Sequence, residues 1–181
     1  MKVMQTALAD AVIIEPQVFS DDRGFFMESW NRSAFQKVGL DLDFVQDNHS
    51  CSAAGVLRGL HYQLPNPQGK LVRVTHGEVY DVIVDLRQSS PSFGKHEGFL
   101  LSAKNKRMLW VPPGFAHGFL TLNDDTHFLY KCTAPYDPSA EHSIVWDDPD
   151  LSIDWPETTS PPELSEKDRN GLSFAKAPKF Q

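Results

Sequence analysis

Cysteine, long apolar segments and an excess of basic residues are all missing from this sequence. Only Cys51 and Cys132 occur among 181 residues, without a CxxC spacing, so neither a disulfide scaffold nor a cysteine zinc site is expected. The longest apolar stretches, such as residues 82–84 and 99–101, are far shorter than the roughly 20 residues that cross a bilayer. The first residues hold no sustained apolar run, which argues against a secretory signal. We therefore expect a cytoplasmic protein with no membrane partner.

The charge balance limits the possible ligands. With 17 Lys and Arg against 24 Asp and Glu, the formal net charge is −7 and the sequence pI is near 5.4. Such a chain is not a general nucleic-acid binder, and an anionic ligand must be held by a local group of bases. The hydrophobic fraction of 40% and the length fit one compact core. We expect a single domain over residues 1–181, with an irregular C-terminal extension from about residue 147, where Pro, Asp, Glu and Ser become frequent.

Short segments rich in β-branched and aromatic residues recur along the chain and predict about eleven strands. Only residues 32–38 and 165–170 have helical character, and each segment ends before a glycine. Strands and helices do not alternate, so a parallel sheet is not expected. The pattern predicts an all-β sandwich or barrel. The predicted strands are 12–19, 24–30, 44–51, 56–63, 71–76, 79–86, 97–103, 107–111, 118–122, 126–133 and 143–146.

Histidine is the side chain best suited to act as a base near neutral pH, and seven histidines are present. His61 lies in a predicted strand that also holds Arg58 and Gly59. Strict alternation would place Arg58 and His61 on opposite faces of that strand. If both side chains serve one pocket, a bulge near Gly59 has to shift the phase. Spacing alone favours the other interpretation, in which His61 is a half-buried strand residue bonded to a neighbour.

His117 follows a Pro-Pro-Gly sequence at residues 112–114, which predicts a turn that holds the imidazole in place. The Pro-x-Gly-x-x-His spacing is one half of the cupin metal signature. The other half of the signature needs His-x-His. In this chain His61 stands at the first histidine position, and Gln63 replaces the second histidine. Three or four metal ligands cannot be assembled from this pattern, so no metal site is expected.

Four basic residues on predicted strands or turns could form the local anion site that an acidic chain requires. Scattered surface charge is the alternative for these four, Arg23, Arg58, Lys70 and Arg73. Glu28, Glu141 and Asp168 stand beside other candidate groups, but spacing alone does not select them. The residues by themselves indicate an all-β domain with a histidine-centred, metal-free pocket, and they name no substrate.

Long sequence blocks cover most of the chain. They include FSDDRGFF at 19–26, FVQDNHS at 44–50, GVLRGLHYQ at 55–63, QGKLVR at 68–73, GEVYDVIVDLR at 77–87, VPPGFAHGF at 111–119, FLYK at 128–131 and LSEKD at 164–168. Through these blocks the chain resembles the dTDP-4-dehydrorhamnose 3,5-epimerase family. The resemblance implies a cupin-type double-stranded β-helix, or jelly roll, with a few short helices, which works as a homodimer without a cofactor. It implies epimerisation at C3 and C5 of dTDP-4-dehydro-6-deoxy-D-glucose, in dTDP-L-rhamnose biosynthesis.

The resemblance also implies roles for individual residues. His61 would be the general base, Asp168 its hydrogen-bonded orienting partner, Tyr130 the acid on the opposite face of the sugar, and Lys70 a neighbour of the C4 oxygen. The family's N-terminal strands cross to the partner subunit, so Arg23 and Glu28 would serve the neighbour's site. Phe26 and Tyr136 would lie near the thymine ring. The residues implied to line the nucleotide-sugar site are Arg23, Phe26, Glu28, Gln46, Asp47, Asn48, Arg58, His117, Tyr136, Glu141 and Lys167.

The implied chemistry needs only acid, base and electrostatic groups. A C4 ketone acidifies the hydrogens at C3 and C5, so a base and an enolate stabiliser suffice. Epimerases acting at one carbon and 3,4-ketoisomerases share this chemistry, and Tyr130 favours the 5-epimerising enzyme. A metal-dependent cupin oxygenase is disfavoured by Gln63. A non-catalytic sugar-nucleotide-binding module would not need His61, Tyr130 and Asp168 together.

Overall fold

A computed structural model describes all 181 residues as thirteen strands and two short helices. Neither helix is long or apolar enough to cross a membrane. The helices are α1 (Arg32–Gln36) and α2 (Glu166–Arg169). The strands are β1 (Lys2–Gln5), β2 (Val12–Glu15), β3 (Val18–Asp21), β4 (Gly24–Met27), β5 (Gln46–Ser52), β6 (Leu57–Gln63), β7 (Lys70–His76), β8 (Glu78–Asp85), β9 (His96–Ser102), β10 (Met108–Val111), β11 (Phe115–Thr121), β12 (Thr126–Cys132) and β13 (Glu141–Ser143).

Two antiparallel sheets form a sandwich. The larger sheet has the order β1-β2-β10-β7-β12-β5, and the smaller has the order β13-β6-β11-β8-β9. From β5 onward the chain passes repeatedly from one sheet to the other, which is the connectivity of a jelly roll. The prediction of an all-β, cupin-type jelly roll with few helices is therefore confirmed.

The main core lies between the two sheets, where apolar side chains from their inner faces interdigitate. Val72 and Leu109 from the larger sheet pack there with Ile83 and Phe119 from the smaller sheet. Two satellite clusters cover the outer faces. One places Phe35 of α1 on the larger sheet. The other places the segment after residue 146 on the smaller sheet, so that this segment is packed onto the sandwich along much of its length.

Some strand boundaries differ from those predicted. The segment 12–19 divides into β2 and β3 at Pro16, which has no N–H for a ladder hydrogen bond. Strand β1 was not predicted. Strand β11 begins at Phe115, so His117 lies within a strand rather than in the turn before it. Every residue of β11 is buried, so the alternation that marks a half-exposed strand is absent there.

The hairpin of β3 and β4 pairs only with itself and forms a two-stranded sheet. Three of its aromatic side chains are largely exposed: Phe19 at 61%, Phe25 at 59% and Phe26 at 67%. A two-stranded ribbon is marginally stable by itself in water. This hairpin is thus the part of the chain with the largest unburied aromatic surface.

Candidate active site

A cavity of about 610 Å³ opens between the two sheets and the C-terminal segment. Both sheets contribute to its walls, because β5, β7 and β12 belong to the larger sheet and β6, β11 and β13 to the smaller. The cavity brings together most of the residues implied by the resemblance. These are Gln46, Asn48, Arg58, His61, Lys70, His117, Tyr130, Tyr136, Glu141, Lys167 and Asp168.

A bulge in β6 explains how Arg58 and His61 reach the same cavity. His61 pairs with His117 of β11 and Arg58 pairs with Phe119, so two residues of β6 stand opposite Gly118 alone. This extra residue shifts the phase of the strand, as predicted from the spacing. Gly59 makes the bulge possible because its φ is +120° and a Cβ there would lie 2.7 Å from the His117 carbonyl oxygen.

His61 is hydrogen-bonded to a buried carboxylate. Its Nε2–H donates to Asp168 Oδ1 at 2.6 Å, and this arrangement leaves the lone pair on Nδ1. Burial lowers the pKa of His61 below its usual value, with Lys167 and Lys70 acting in the same direction and Asp168 opposing them. The imidazole is therefore a neutral base at neutral pH.

Asp168 is held by α2 and β6 together. Ser165 caps α2 and donates its hydroxyl hydrogen to Asp168 Oδ2 at 2.6 Å, while the Gly59 N–H donates to Oδ1 at 3.3 Å. Burial disfavours the charge on Asp168, but the hydrogen bonds from His61 and Ser165 outweigh burial and lower the pKa of Asp168 to about 2. Asp168 is thus an ionised, fixed acceptor for His61.

Lys70 and Tyr130 face the cavity from the larger sheet, opposite His61 on the smaller sheet. Lys70 Nζ lies 6.0 Å from the centre of the Tyr130 ring. Burial lowers the pKa of the Lys70 ammonium, although Cys132, Asp81 and Glu141 oppose this shift. Burial raises the pKa of the Tyr130 phenol, so its hydroxyl keeps its proton at neutral pH. The cavity therefore has a base on one wall and a protonated phenol on the other.

The rim of the cavity is an ion-paired cluster. Glu141 on β13 accepts hydrogen bonds from Lys167 Nζ and from the Tyr136 hydroxyl, each at 2.8 Å. Burial favours the neutral form of Glu141, but these two hydrogen bonds and the nearby cationic groups prevail and lower its pKa. The cluster places a half-exposed tyrosine ring beside the cavity mouth.

Asp81 was not selected from the sequence. It lies on β8, is fully buried, and accepts a hydrogen bond from His117 Nε2 at 2.9 Å. Burial raises the pKa of Asp81, with His117 and Lys70 opposing that shift. The sequence did contain a signal, because a carboxylate within the apolar run 79–86 requires a buried partner.

Four residues implied by the resemblance lie outside this cavity. One of them is Asp47: alternation along β5 turns it to the face opposite Gln46 and Asn48, where it pairs with Lys131 at 2.9 Å. The other three, Arg23, Phe26 and Glu28, lie on the β3–β4 hairpin or just after it and do not line the cavity of their own chain.

No group of three or more His, Cys, Asp or Glu side chains is arranged to hold a metal ion. Gln63, at the position of a cupin metal ligand, instead binds backbone groups of two loops. A jelly roll whose cavity holds a neutral histidine on a buried aspartate, facing a lysine and a phenol, has the features of a cupin-like enzyme that transfers protons.

Comparison with known proteins identifies the family. A family model described as dTDP-4-dehydrorhamnose 3,5-epimerase matches residues 5–176. The chain is 57% identical to the dTDP-4-dehydrorhamnose 3,5-epimerase of Pseudomonas aeruginosa over 181 residues, 99% of each chain. The chain therefore belongs to the dTDP-4-dehydrorhamnose 3,5-epimerase family and is an isomerase of that family.

Solved structures agree with this assignment. The Legionella pneumophila dTDP-6-deoxy-D-glucose-3,5-epimerase, in complex with dTDP-4-keto-L-rhamnose, is 46% identical with a TM-score of 0.94, covering 99% of this chain and 98% of that chain. The Bacillus anthracis dTDP-4-dehydrorhamnose 3,5-epimerase, with TDP and pyrophosphate bound, is 48% identical with a TM-score of 0.91, covering 95% of this chain and 98% of that chain.

Proposed function

We propose that this protein converts dTDP-4-dehydro-6-deoxy-D-glucose to dTDP-4-dehydro-L-rhamnose, in dTDP-L-rhamnose biosynthesis, by epimerising C3 and C5 through enolate intermediates. The observation that carries the proposal is the placement of His61 and Tyr130 on opposite walls of one cavity. Family membership and the ligand of the Legionella pneumophila relative support the choice of substrate.

His61 is the base for each carbon. The C4 ketone of the substrate acidifies the neighbouring C–H bonds, and the neutral imidazole takes the proton while the C–H electron pair moves into the enolate. The Asp168 carboxylate, 2.6 Å from Nε2, stabilises the imidazolium that results. Because Asp168 stays ionised, its negative charge stabilises the positive charge of the His61 imidazolium, and the proton remains on His61.

Lys70 stabilises the negative charge that develops on the C4 oxygen. Its ammonium is buried in the cavity wall, where a charge interacts more strongly with an oxyanion than in water. Such preorganised donors contribute about 3 to 4 kcal/mol to transition-state stabilisation in other enzymes. The reaction therefore needs neither a hydride carrier nor a metal ion.

Tyr130 completes the inversion. Its hydroxyl, kept protonated by burial, returns a proton to the face of the sugar opposite His61. The enolate electron pair forms the new C–H bond, and the resulting phenolate and imidazolium exchange protons with solvent before the second carbon is inverted and again before the next turnover. Solvent hydrogen therefore enters the product at each inverted carbon.

The nucleotide part of the substrate needs positive charge and an aromatic surface. Arg58 and Lys167 line the cavity. They provide the local positive charge that binds the diphosphate of the substrate in a protein whose net charge is negative. Tyr136 at the rim provides a ring for the thymine base. We propose that Arg23, Phe26 and Glu28 reach the site of a partner subunit in a homodimer, because they do not line the cavity of their own chain.

The test is the stereochemistry of the product formed by chelator-treated enzyme. We expect conversion of dTDP-4-dehydro-6-deoxy-D-glucose to the L-lyxo ketosugar, trapped by a nicotinamide-dependent reductase as dTDP-L-rhamnose. Inversion at a single carbon would identify a mono-epimerase instead. Loss of activity on chelation, restored by a divalent metal, would contradict the metal-free mechanism, and binding without any turnover would identify a sugar-nucleotide-binding protein.

A further inference from the structure

Gln63 occupies the cupin metal-ligand position but has no place in the proton-transfer mechanism. It lies two residues after His61 in β6 and is 3% exposed. Its amide nitrogen donates to the carbonyl oxygens of Asn66, at 3.0 Å, and Pro135, at 3.2 Å. Its amide oxygen accepts from the Asp137 N–H at 3.0 Å. The amide is therefore engaged with backbone groups of two loops.

The second of these loops, residues 134–137, carries Tyr136 between β12 and β13. Two other glutamine amides also hold this loop: Gln46 Oε1 accepts from the Tyr136 N–H at 2.8 Å, and Gln68 Nε2 donates to the Ala134 carbonyl at 2.9 Å. Gln46 and Gln68 line the active-site cavity, whereas Gln63 does not. Gln63 also differs in contacting the residues immediately before and after Tyr136.

We propose that Gln63 is a positioning residue for nucleotide recognition: by bracketing Tyr136 it holds the tyrosine ring where the base of a thymidine nucleotide packs against it. This inference rests on the proposed function, which places the nucleotide at the rim beside Tyr136. A loop ordered before binding does not have to be ordered by the ligand, so the nucleotide binds more tightly. The reacting groups His61 and Asp168 lie outside this loop, on β6 and α2.

A double-mutant cycle tests the proposal on the full-length chain, with dTDP as the probe and calorimetry as the readout. We expect Gln63→Ala and Tyr136→Ala each to weaken dTDP binding about tenfold. The double variant should bind no more weakly than Tyr136→Ala alone, because Gln63 acts through that ring. In turnover assays the KM of Gln63→Ala should rise about tenfold while kcat stays within about threefold.

A variant and a control keep the test decisive. Gln63→Met has a similar volume without the hydrogen bonds, so the same cycle can be run with it if Gln63→Ala does not fold. Gln36 on α1 is exposed, and its side-chain amide donates a hydrogen bond to Asp41. Gln36→Ala should leave dTDP binding unchanged.

The outcomes separate this inference from the proposed function. Additive losses of about a hundredfold in the double variant, an unchanged dTDP affinity in Gln63→Ala, or a fall in kcat without a change in KM would each overturn the role of Gln63. Failure of the unmodified protein to bind dTDP would instead contradict the proposed function.

Discussion

At the scale of single residues, the function of His61 depends on the carboxylate behind it. Asp168 accepts hydrogen bonds from the imidazole, the Ser165 hydroxyl and the Gly59 N–H, so its position is fixed from three directions. Asp168→Asn keeps the shape of the side chain but removes the charge that stabilises the imidazolium. We predict that steady-state assays will show a fall in kcat/KM of about a hundredfold or more.

The control for this variant is its thermal unfolding. Asparagine can still accept hydrogen bonds, so the melting temperature should change by only a few degrees. Near-normal turnover in a folded Asp168→Asn protein would remove Asp168 from the mechanism.

The pH dependence of kcat/KM tests the environment of His61. The base is active when neutral, so activity is present above the pKa of His61 and is lost as the pH falls through it. Because burial lowers that pKa, the acid limb should lie below about 6.5, the usual value for histidine. Lys167→Gln removes a cationic neighbour and should move the limb to higher pH. A limb at or above 6.5 in the unmodified protein would contradict the assigned environment.

The sequence predicted the reacting residues better than it predicted what holds them. The type and context of His61 made it a candidate base, but its partner stands 107 positions away, and only the resemblance connected the two. Asp81 acts through a hydrogen bond to His117, 36 positions away along the chain, which short-range spacing does not reveal. Gln63 could be identified only as a departure from a metal signature.

At the scale of secondary-structure elements, the bulge in β6 brings Arg58 and His61 to one cavity. Gly59 has a positive φ, and a Cβ there would collide with the backbone of Gly118 and His117. Gly59→Ala should therefore lower the free energy of unfolding by about 2 to 4 kcal/mol, measured by urea denaturation, and should reduce activity strongly.

Gly55→Ala is the matched control. Gly55 also has a positive φ of +80°, but a Cβ there would have no neighbour within 4 Å. The control should lose only about 1 kcal/mol and keep most of its activity. Equal effects of the two substitutions would show that the bulge does not depend on the close approach of β6 and β11.

The strand pattern was predictable because short segments rich in β-branched and aromatic residues are separated by turn residues, and in β5 polar and less exposed positions also alternate. The fully buried β11 lacks this alternation, so the sequence placed His117 in a turn. Strand β1 is short and begins at the second residue of the chain, with only four residues to show a pattern. The bulge was deduced as a condition for a shared pocket, and the pairing of β6 with β11 confirms it.

At the scale of the whole molecule, the exposed hairpin points to a dimer. Its aromatic surface is the largest left unburied, and Arg23 lies on it rather than at the cavity of its own chain. We infer that the chain is one domain whose C-terminal extension carries Asp168 and whose hairpin serves a neighbouring copy.

Complementation between two inactive variants tests the dimer. Arg23→Ala and His61→Ala protomers should each be nearly inactive alone. After mixing and subunit exchange, half of the dimers are mixed and each holds one intact site, so activity should recover to about one quarter of the unmodified level. No recovery, despite exchange demonstrated by mass spectrometry, would place Arg23 in the site of its own chain.

The central claim is proton transfer on two faces of the sugar, and position-resolved deuterium incorporation in D2O tests it most directly. Proton NMR of the dTDP-ketosugar would be followed with the unmodified protein and with Tyr130→Phe. We predict deuterium at C3 and C5 with inversion for the unmodified protein, and a fall of about a hundredfold or more in C5 inversion for Tyr130→Phe. Incorporation at neither carbon, or unchanged C5 inversion without Tyr130, would contradict the claim.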